Sequence, residues 1–262
     1  KLATLKNFTS LSLNLFKSEV LLIDLFEKYV KYLVKLSHLS LSAHLDREVE
    51  IAFDCELPNL KIFEFFTSSQ ARILNFGLFF IQNPQIEQIY CSGGAEMINL
   101  VRGLRIFQFK GNPFKTTKIV HAPNLISLSL PVVPENWILP NLTSFELLLR
   151  SNSNIGFDNL ALLEFLEELS IECTNFSKPI FSLTGINRLR HLKILRIIDS
   201  CPVNSKKDRW RTDKKKYTGE SLKRVLWSAQ SPGVLRWVVD LFEGSSVDVR
   251  FEPLRKAFKD ER

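Results

Sequence analysis

The sequence is poor in the residues that build metal centres, disulfide frameworks and membrane spans. Its 262 residues include only four cysteines, four histidines and one methionine. Cys55, Cys91, Cys173 and Cys201 form no C-x-x-C pair and have no histidine at ligand spacing, so we expect reduced thiols in a core. The longest nearly apolar run, residues 73–81, is nine residues long, whereas a membrane helix needs about 20. We therefore expect no membrane partner.

Signatures of catalysis are lacking as well. The chain contains no GxSxG, HExxH, phosphate-binding-loop or dinucleotide-binding glycine pattern. The four histidines, His38, His44, His121 and His191, lie in different repeats or at the edges of repeats. Hydrophobic residues make up 45% of the chain and charged residues 24%, which is typical of a globular protein. We expect a protein that is not an enzyme, requires no cofactor or metal, and acts through a binding surface.

The sequence does contain a repeat. An apolar residue, two others, an apolar residue, any residue and a third apolar residue recur about every 23 positions, within the 20–29 residues of leucine-rich repeats. Three copies follow a Pro-Asn pair, at 58–59, 123–124 and 140–141. Each triplet predicts a buried β-strand, and the successive crossovers predict a parallel sheet. The nine copies begin at Phe8, Leu36, Leu60, Ile86, Leu104, Leu125, Leu142, Leu166 and Leu192.

The crossovers between the strands vary in length. Those with helical periodicity predict helices at residues 18–33, 70–82, 95–101 and 159–165. Where the step falls to 17–21 residues there is no room for a full helix, and we expect turns or 3₁₀ pieces. Beyond the repeats over 1–201, we predict a basic loop over 202–217 and a C-terminal capping segment over 218–262. Within the cap, the pattern predicts helices at 220–229 and 234–242 and a strand at 247–251.

These repeats resemble the leucine-rich-repeat superfamily, and within it the degenerate, phenylalanine-tolerant repeats of fungal F-box proteins. The copies Ala-Pro-Asn-Leu-Ile-Ser-Leu-Ser-Leu (122–130) and Leu-Pro-Asn-Leu-Thr-Ser-Phe-Glu-Leu (139–147) carry the resemblance, which covers about residues 5–200. The superfamily has Asn or Cys three positions after each triplet, and only Asn112 follows that rule. The resemblance implies an α/β fold, a leucine-rich-repeat solenoid with a curved parallel sheet and with helices, 3₁₀ pieces and turns on its convex side.

The same resemblance implies a function and a location. The chain would be a non-catalytic protein-recognition module, the substrate-recruiting repeat region of an F-box-type ubiquitin ligase receptor. An F-box upstream of Lys1 would bind the cullin–RING ligase adaptor, and a protein substrate would bind the concave face. The protein would then be cytoplasmic or nuclear.

Side chains between and just after the triplet residues should line the concave face, because neighbouring side chains of a strand point to opposite faces. Exposed apolar and aromatic groups gather there in the third to fifth repeats, which favours a contact site. The alternative interpretation is that crossovers cover these groups, or that the register of the third repeat is shifted by one. The predicted protein-binding residues are Ile62, Glu64, Phe66, Gln88, Tyr90, Ile106, Gln108, Lys110, Glu146, Glu172 and Arg196.

A second candidate is the stretch 206–217, which contains seven basic and two acidic residues. Its cations could bind phosphates while Trp210 and Tyr217 stack a base, it could be a nuclear import signal, or it could simply be solvated. One alternative function is therefore a nucleic-acid or ribonucleoprotein scaffold that uses this stretch. A separate alternative is an extracellular leucine-rich-repeat binding protein. The predicted phosphate-binding residues are Lys206, Lys207, Arg209, Trp210, Arg211, Lys214, Lys215 and Lys216.

Overall fold

The fold is described from a computed structural model. The predicted helix at 95–101 lies outside the residues that it describes, as does most of the predicted helix at 18–33. The described residues are 7–16, 28–44, 50–52, 55–67, 72–74, 76–92, 103–109, 120–133, 137–149, 157–173, 180–181, 183–200, 211–212, 217–229 and 233–252.

Strands dominate the described residues. In chain order they are β1 (Ser10–Phe16), β2 (His38–His44), β3 (Glu50–Ala52), β4 (Ile62–Thr67), β5 (Arg72–Leu74), β6 (Gln88–Ser92), β7 (Ile106–Phe109), β8 (Val120–His121), β9 (Ser127–Leu130), β10 (Trp137–Ile138), β11 (Ser144–Leu149), β12 (Glu168–Cys173), β13 (Ile180–Phe181), β14 (Ile194–Asp199), β15 (Arg211–Thr212), β16 (Arg224–Ala229) and β17 (Asp248–Phe251). The α-helices are α1 (Phe76–Gln82), α2 (Leu183–Ile186) and α3 (Gly233–Phe242).

Eleven of these strands form one parallel β-sheet, and strand, crossover and next strand follow one another as in a solenoid. This part of the fold prediction is confirmed. The chain divides into two compact units, residues 1–128 with 136–141 and residues 129–135 with 142–262. In the first unit the strands lie in the order β1-β2-β4-β6-β7, and in the second they lie in the order β11-β12-β14-β16-β17.

The register of the sheet aligns the repeated triplets. In the first unit the middle residues Leu39, Phe63, Ile89 and Phe107 pair in series and are all buried. In the second unit the middle residues form a matching buried row, Phe145, Leu169, Leu195 and Val225. The strands are therefore held by their hydrogen-bond ladders and by one continuous row of apolar contacts inside each unit.

The first repeat departs from this burial. Leu11 pairs with Leu39 as the triplet predicts, but Leu11 and Leu13 are partly exposed and Phe8 is 47% exposed. The reason is that β1 is the first strand in the order, so the described strands cover it from one side only.

The crossovers contain more extended chain than the sequence pattern predicts. Three pairs of short strands, β3 with β5, β8 with β10 and β13 with β15, link crossovers in parallel. The predicted helix at 70–82 is α1 preceded by β5, and the predicted helix at 159–165 is a 3₁₀ helix over Phe157–Leu162. An extended crossover leaves backbone groups that must find partners, and the adjacent crossover supplies them.

The predicted helix at 220–229 is wrong, because β16 occupies most of it. Leu222, Val225 and Trp227 repeat the triplet and are buried, and Val225 pairs with Leu195. The apolar spacing of this segment fits a helix face as well as a triplet, and tertiary packing selects the strand. The predictions of a helix before residue 243 and of a strand after residue 247 are confirmed by α3 and β17. In the described part of the predicted capping segment, β16 and β17 thus continue the sheet.

Amide side chains join the turns of successive repeats. Asn59 Nδ2 donates to the Val34 carbonyl over 2.7 Å, and Asn141 Nδ2 donates to the Pro123 carbonyl over 2.7 Å. Gln85, which follows a proline in the same way, donates to the Leu57 carbonyl over 2.6 Å. The asparagines of two Pro-Asn pairs, at 58–59 and 140–141, therefore link successive repeats from a position before the strand rather than three positions after it.

Candidate binding surfaces

The burial of β4 shows which side chains of the third repeat face the core. Phe63 and Phe65 are buried, whereas Ile62, Glu64 and Phe66 are partly exposed on the opposite face. The register is thus the predicted one, with no shift by one residue. We call the face that carries Ile62, Glu64 and Phe66, opposite to the buried triplets, the open face of its unit.

Three adjacent strands of the first unit bring predicted binding residues together on the open face. Ile62 of β4 pairs with Gln88 of β6, which pairs with Ile106 of β7. Since neighbouring strands lie about 4.8 Å apart, Ile62 and Ile106 are about 10 Å apart with one polar side chain between them. Glu64, Tyr90 and Gln108 form the next row, and Phe66 lies beside Ser92 in the third row.

These rows form a mixed surface, which we call the aromatic patch: Ile62, Phe66, Tyr90 and Ile106 with the polar Glu64, Gln88 and Gln108. All seven residues are partly exposed. Within the patch the Tyr90 hydroxyl donates to Gln88 Oε1 over 3.2 Å. Partial burial and, secondarily, the Glu64 carboxylate raise the pKa of the Tyr90 phenol, so it stays neutral and able to donate a hydrogen bond at physiological pH.

One side of the aromatic patch is bounded by polar groups of β2. His38 pairs with Ile62 in the register, and its Nε2 lies 3.6 Å from Glu64 Oε1, too far for a hydrogen bond. That nitrogen is buried and has no hydrogen-bond partner among the described residues. Ser40 and Ser42 complete this border opposite Glu64 and Phe66.

The predicted binding residues of the second unit differ in character, because they are engaged in polar contacts of their own unit. Arg196 donates from Nε to Glu168 Oε1 over 2.7 Å and from a terminal nitrogen to Glu252 Oε2 over 3.0 Å. Glu172 accepts from Ser200 Oγ at 3.2 Å. Glu146 accepts from Ser129 Oγ at 2.6 Å. Part of this open face is also covered, since Leu148 and Leu226 are buried.

The basic stretch contributes little to a described site. Lys110 and most of the predicted phosphate-binding residues lie outside the described residues, and Arg211 belongs to β15. Tyr217, one of the two rings that could stack a base, is buried inside the second unit. Its ring packs 5.5 Å from that of Phe242, and its hydroxyl accepts from the Leu222 backbone N–H over 3.1 Å.

A second surface, which the sequence pattern does not indicate, lies in the first unit where the strands begin. It is a groove with a cavity volume of about 720 Å³, within the range of ligand pockets. We call it the edge groove. Its residues occupy the two positions that flank the first apolar residue of each triplet, so no apolar periodicity marks them. The lining residues are Lys61, Gln85, Glu87, Gly103, Arg105, Asn124, Ile126 and Asn141.

Charge alternates along one wall of the edge groove. Lys61 Nζ donates to Glu87 Oε1 over 2.7 Å. This hydrogen bond, together with the charges of Lys61 and Arg105, holds the pKa of Glu87 below its ordinary value. Gly103 stands where other repeats carry a side chain such as Gln85, and a Cβ there would lie 3.2 Å from the Pro84 carbonyl oxygen. The close approach of the preceding turn explains the glycine.

No protein-family model matches the chain, and comparison with curated proteins gives no match. Within the described residues, none of the helices combines the length and the apolar character that a membrane span requires.

Proposed function

We propose that the chain is a protein-recognition module of the leucine-rich-repeat type, without a reaction of its own. The observation that carries the proposal is the aromatic patch. Two large aromatic side chains and two isoleucines are placed on the solvent side of a sheet whose triplets already form a core. Packing among the described residues of the unit therefore gives no reason for these residue types, whereas contact with another protein does.

The composition of the aromatic patch fits a protein partner. Protein interfaces bind mainly through a few central aromatic or aliphatic anchors surrounded by polar groups that exclude water. Phe66, Tyr90 and Ile106 supply such anchors, and Glu64 and Gln108 supply polar neighbours. A neutral Tyr90 hydroxyl can donate a hydrogen bond to a partner carbonyl, so it contributes orientation as well as apolar area.

The finer proposal is that the module recruits substrates for a cullin–RING ubiquitin ligase. It is supported by the resemblance of the repeats to those of fungal F-box proteins. In that role the aromatic patch would hold the substrate where a separate enzyme attaches ubiquitin. The catalytic step would need nothing from this chain beyond its position.

The aromatic patch can be tested by replacing its anchors one at a time. The variants Phe66→Ala and Tyr90→Ala should each weaken a cognate partner by about 2 kcal/mol, while the free energy of unfolding changes by less than about 1 kcal/mol. A matched control is Phe251→Ala, which removes a phenylalanine that is 52% exposed in the second unit. Partners are captured on the wild-type protein from extracts of its own cells, and their affinities are then measured as purified proteins by calorimetry.

The proposal predicts that at least one directly binding protein loses affinity for the Phe66 and Tyr90 variants and keeps its affinity for the control. Equal affinity of every purified partner for all three variants would refute a role of the aromatic patch. The finer proposal is tested separately by asking whether the full-length natural protein binds a purified cullin–RING adaptor. Absence of that binding would exclude the ligase role and leave the recognition role intact.

A further inference from the structure

Two cations line the edge groove, and only Lys61 forms an ion pair with a described residue. Lys61 is paired with Glu87 at 2.7 Å, and the Lys61 and Glu87 side chains are 49% and 38% exposed. The Arg105 guanidinium makes no ion pair or side-chain hydrogen bond with any described residue, although its charge lowers the pKa of Glu87. Only its backbone is engaged: Arg105 N donates to the Glu87 carbonyl over 2.8 Å. The backbone of Arg105 is thus fixed by the sheet, and its guanidinium N–H groups can donate to a ligand.

The charge balance of the groove selects the kind of anion that fits it. Lys61, Glu87 and Arg105 together carry a net charge of about +1 at neutral pH, because the Glu87 pKa is lowered and the carboxylate stays ionised. A single carboxylate balances this charge, and its two oxygens can accept the two parallel N–H groups of an arginine guanidinium. A phosphate with about two negative charges would experience the repulsion of Glu87 more strongly.

The other walls provide groups that can bind a peptide backbone. Gln85 and Asn141 each donate one hydrogen bond to the turn of a preceding repeat, at 2.6 and 2.7 Å, which fixes both amide groups. Their side-chain oxygens accept no hydrogen bond from the described residues and can accept from the N–H groups of an extended peptide. Ile126 adds a partly exposed apolar surface between the polar groups.

We propose that the edge groove is a second binding site, for an acidic peptide segment, in which Arg105 holds a glutamate or aspartate carboxylate. The edge groove shares no residue with the aromatic patch, and binding there does not require the proposed function. The Glu87 carboxylate repels the carboxylate of a bound segment and so lowers the affinity of the groove for acidic segments. This repulsion favours segments whose carboxylate lies at Arg105.

The test uses two capped pentapeptides, acetyl-Ala-Ala-Glu-Ala-Ala-amide and its twin with Gln in place of Glu. Binding to the whole chain is followed by NMR through the Arg105 side-chain N–H and the Gly103 backbone N–H. The Glu peptide should shift both signals, and the Gln peptide should bind at least about tenfold more weakly, as expected when a charged hydrogen bond is replaced by a neutral one.

Two variants of opposite expected sign sharpen the test. Arg105→Gln should lower the affinity for the Glu peptide about tenfold or more, whereas Glu87→Gln should raise it severalfold, because it removes the competing carboxylate and releases Lys61. Lys223→Gln is the matched control, since Lys223 occupies the equivalent repeat position in the second unit and donates through its backbone in the same way. Its affinity for the Glu peptide should equal that of the wild type.

Three results would overturn the proposal. The first is equal binding of the Glu and Gln peptides, and the second is unchanged affinity in Arg105→Gln. The third is binding of inorganic phosphate at the Arg105 signal that is tighter than binding of the Glu peptide, which would assign the groove to phosphate groups. Proper folding of the Arg105 and Glu87 variants is checked by the backbone NMR signals of β2 and β4, which belong to the same unit as the edge groove.

Discussion

Asn83 is a polar residue whose removal the structure predicts to be costly. It is completely buried, and its amide makes three hydrogen bonds. Its Oδ1 accepts from the Leu57 backbone N–H at 2.7 Å, and its Nδ2 donates to the carbonyls of Cys55 at 3.0 Å and Phe79 at 2.7 Å. One side chain thus joins the end of α1 to the turn of the preceding repeat.

The cost of Asn83→Ala follows from these bonds. A buried N–H left without an acceptor costs about 1–3 kcal/mol, and each carbonyl that loses a donor adds about 0.5–1.5 kcal/mol. We expect a loss of about 3 kcal/mol in the free energy of unfolding, measured by urea denaturation. In a chain of this size that corresponds to a decrease in Tm of about 6–12 °C.

Asn59→Ala is the control for this substitution. Asn59 also joins two repeats, but through a single exposed hydrogen bond of 2.7 Å to the Val34 carbonyl. Its loss should cost only about 0.5–1 kcal/mol. Similar unfolding free energies for the Asn59 and Asn83 variants would refute the reasoning, because they would show that the three buried bonds of Asn83 are not formed.

Three further predictions concern single side chains. Glu87→Gln should remove part of the pH dependence of stability. Because the pKa of Glu87 is lowered in the folded state, its pair with Lys61 stabilises the fold above the unfolded pKa near 4.5, and this stabilisation is lost as the pH falls through the folded pKa. At this exposed site the loss should be less than about 1 kcal/mol, and urea titrations of both proteins at pH 3 and 7 would measure it. Burial raises the pKa of the Cys91 thiol, so Cys91 should resist iodoacetamide at pH 8 in the native protein and react with it in urea. Peptide mass spectrometry detects the alkylation, and alkylation of the native protein would contradict the burial of Cys91. Tyr217→Phe should lower the free energy of unfolding by about 1 kcal/mol, because the Leu222 N–H loses its acceptor, and an unchanged value would show that water replaces it.

The repeat and its register could be predicted from the sequence because apolar alternation has a single physical meaning in a parallel sheet. The triplets with Phe63 and Phe107 are buried in line with one another, as their spacing predicts. The same reasoning failed at β16, where Leu222, Val225 and Leu226 also fit a helix. Only the neighbouring strand β14, which supplies the hydrogen-bond partners, decides between the two structures.

The candidate sites were predictable to different extents. Strand alternation places Ile62 and Phe66 on the open face, and their binding role stays a prediction. The edge groove could not be predicted. Arg105 flanks an apolar residue of the repeat and follows no pattern of its own, and the Pro-Asn pair that contains Asn141 indicates the start of a strand but not a groove. The polar contacts of Arg196 also depend on Glu252, which lies 56 positions later in the chain. Such contacts follow from tertiary structure and not from local pattern.

The most direct test of the central claim compares two neighbouring phenylalanines of β4. Phe65 is 1% exposed in the core, whereas Phe66 points to the open face. We expect Phe65→Ala to lower the free energy of unfolding by about 3–5 kcal/mol, and Phe66→Ala to lower it by less than about 1 kcal/mol. Equal losses, or a larger loss at Phe66, would contradict the alternation of faces and remove the aromatic patch as a binding surface.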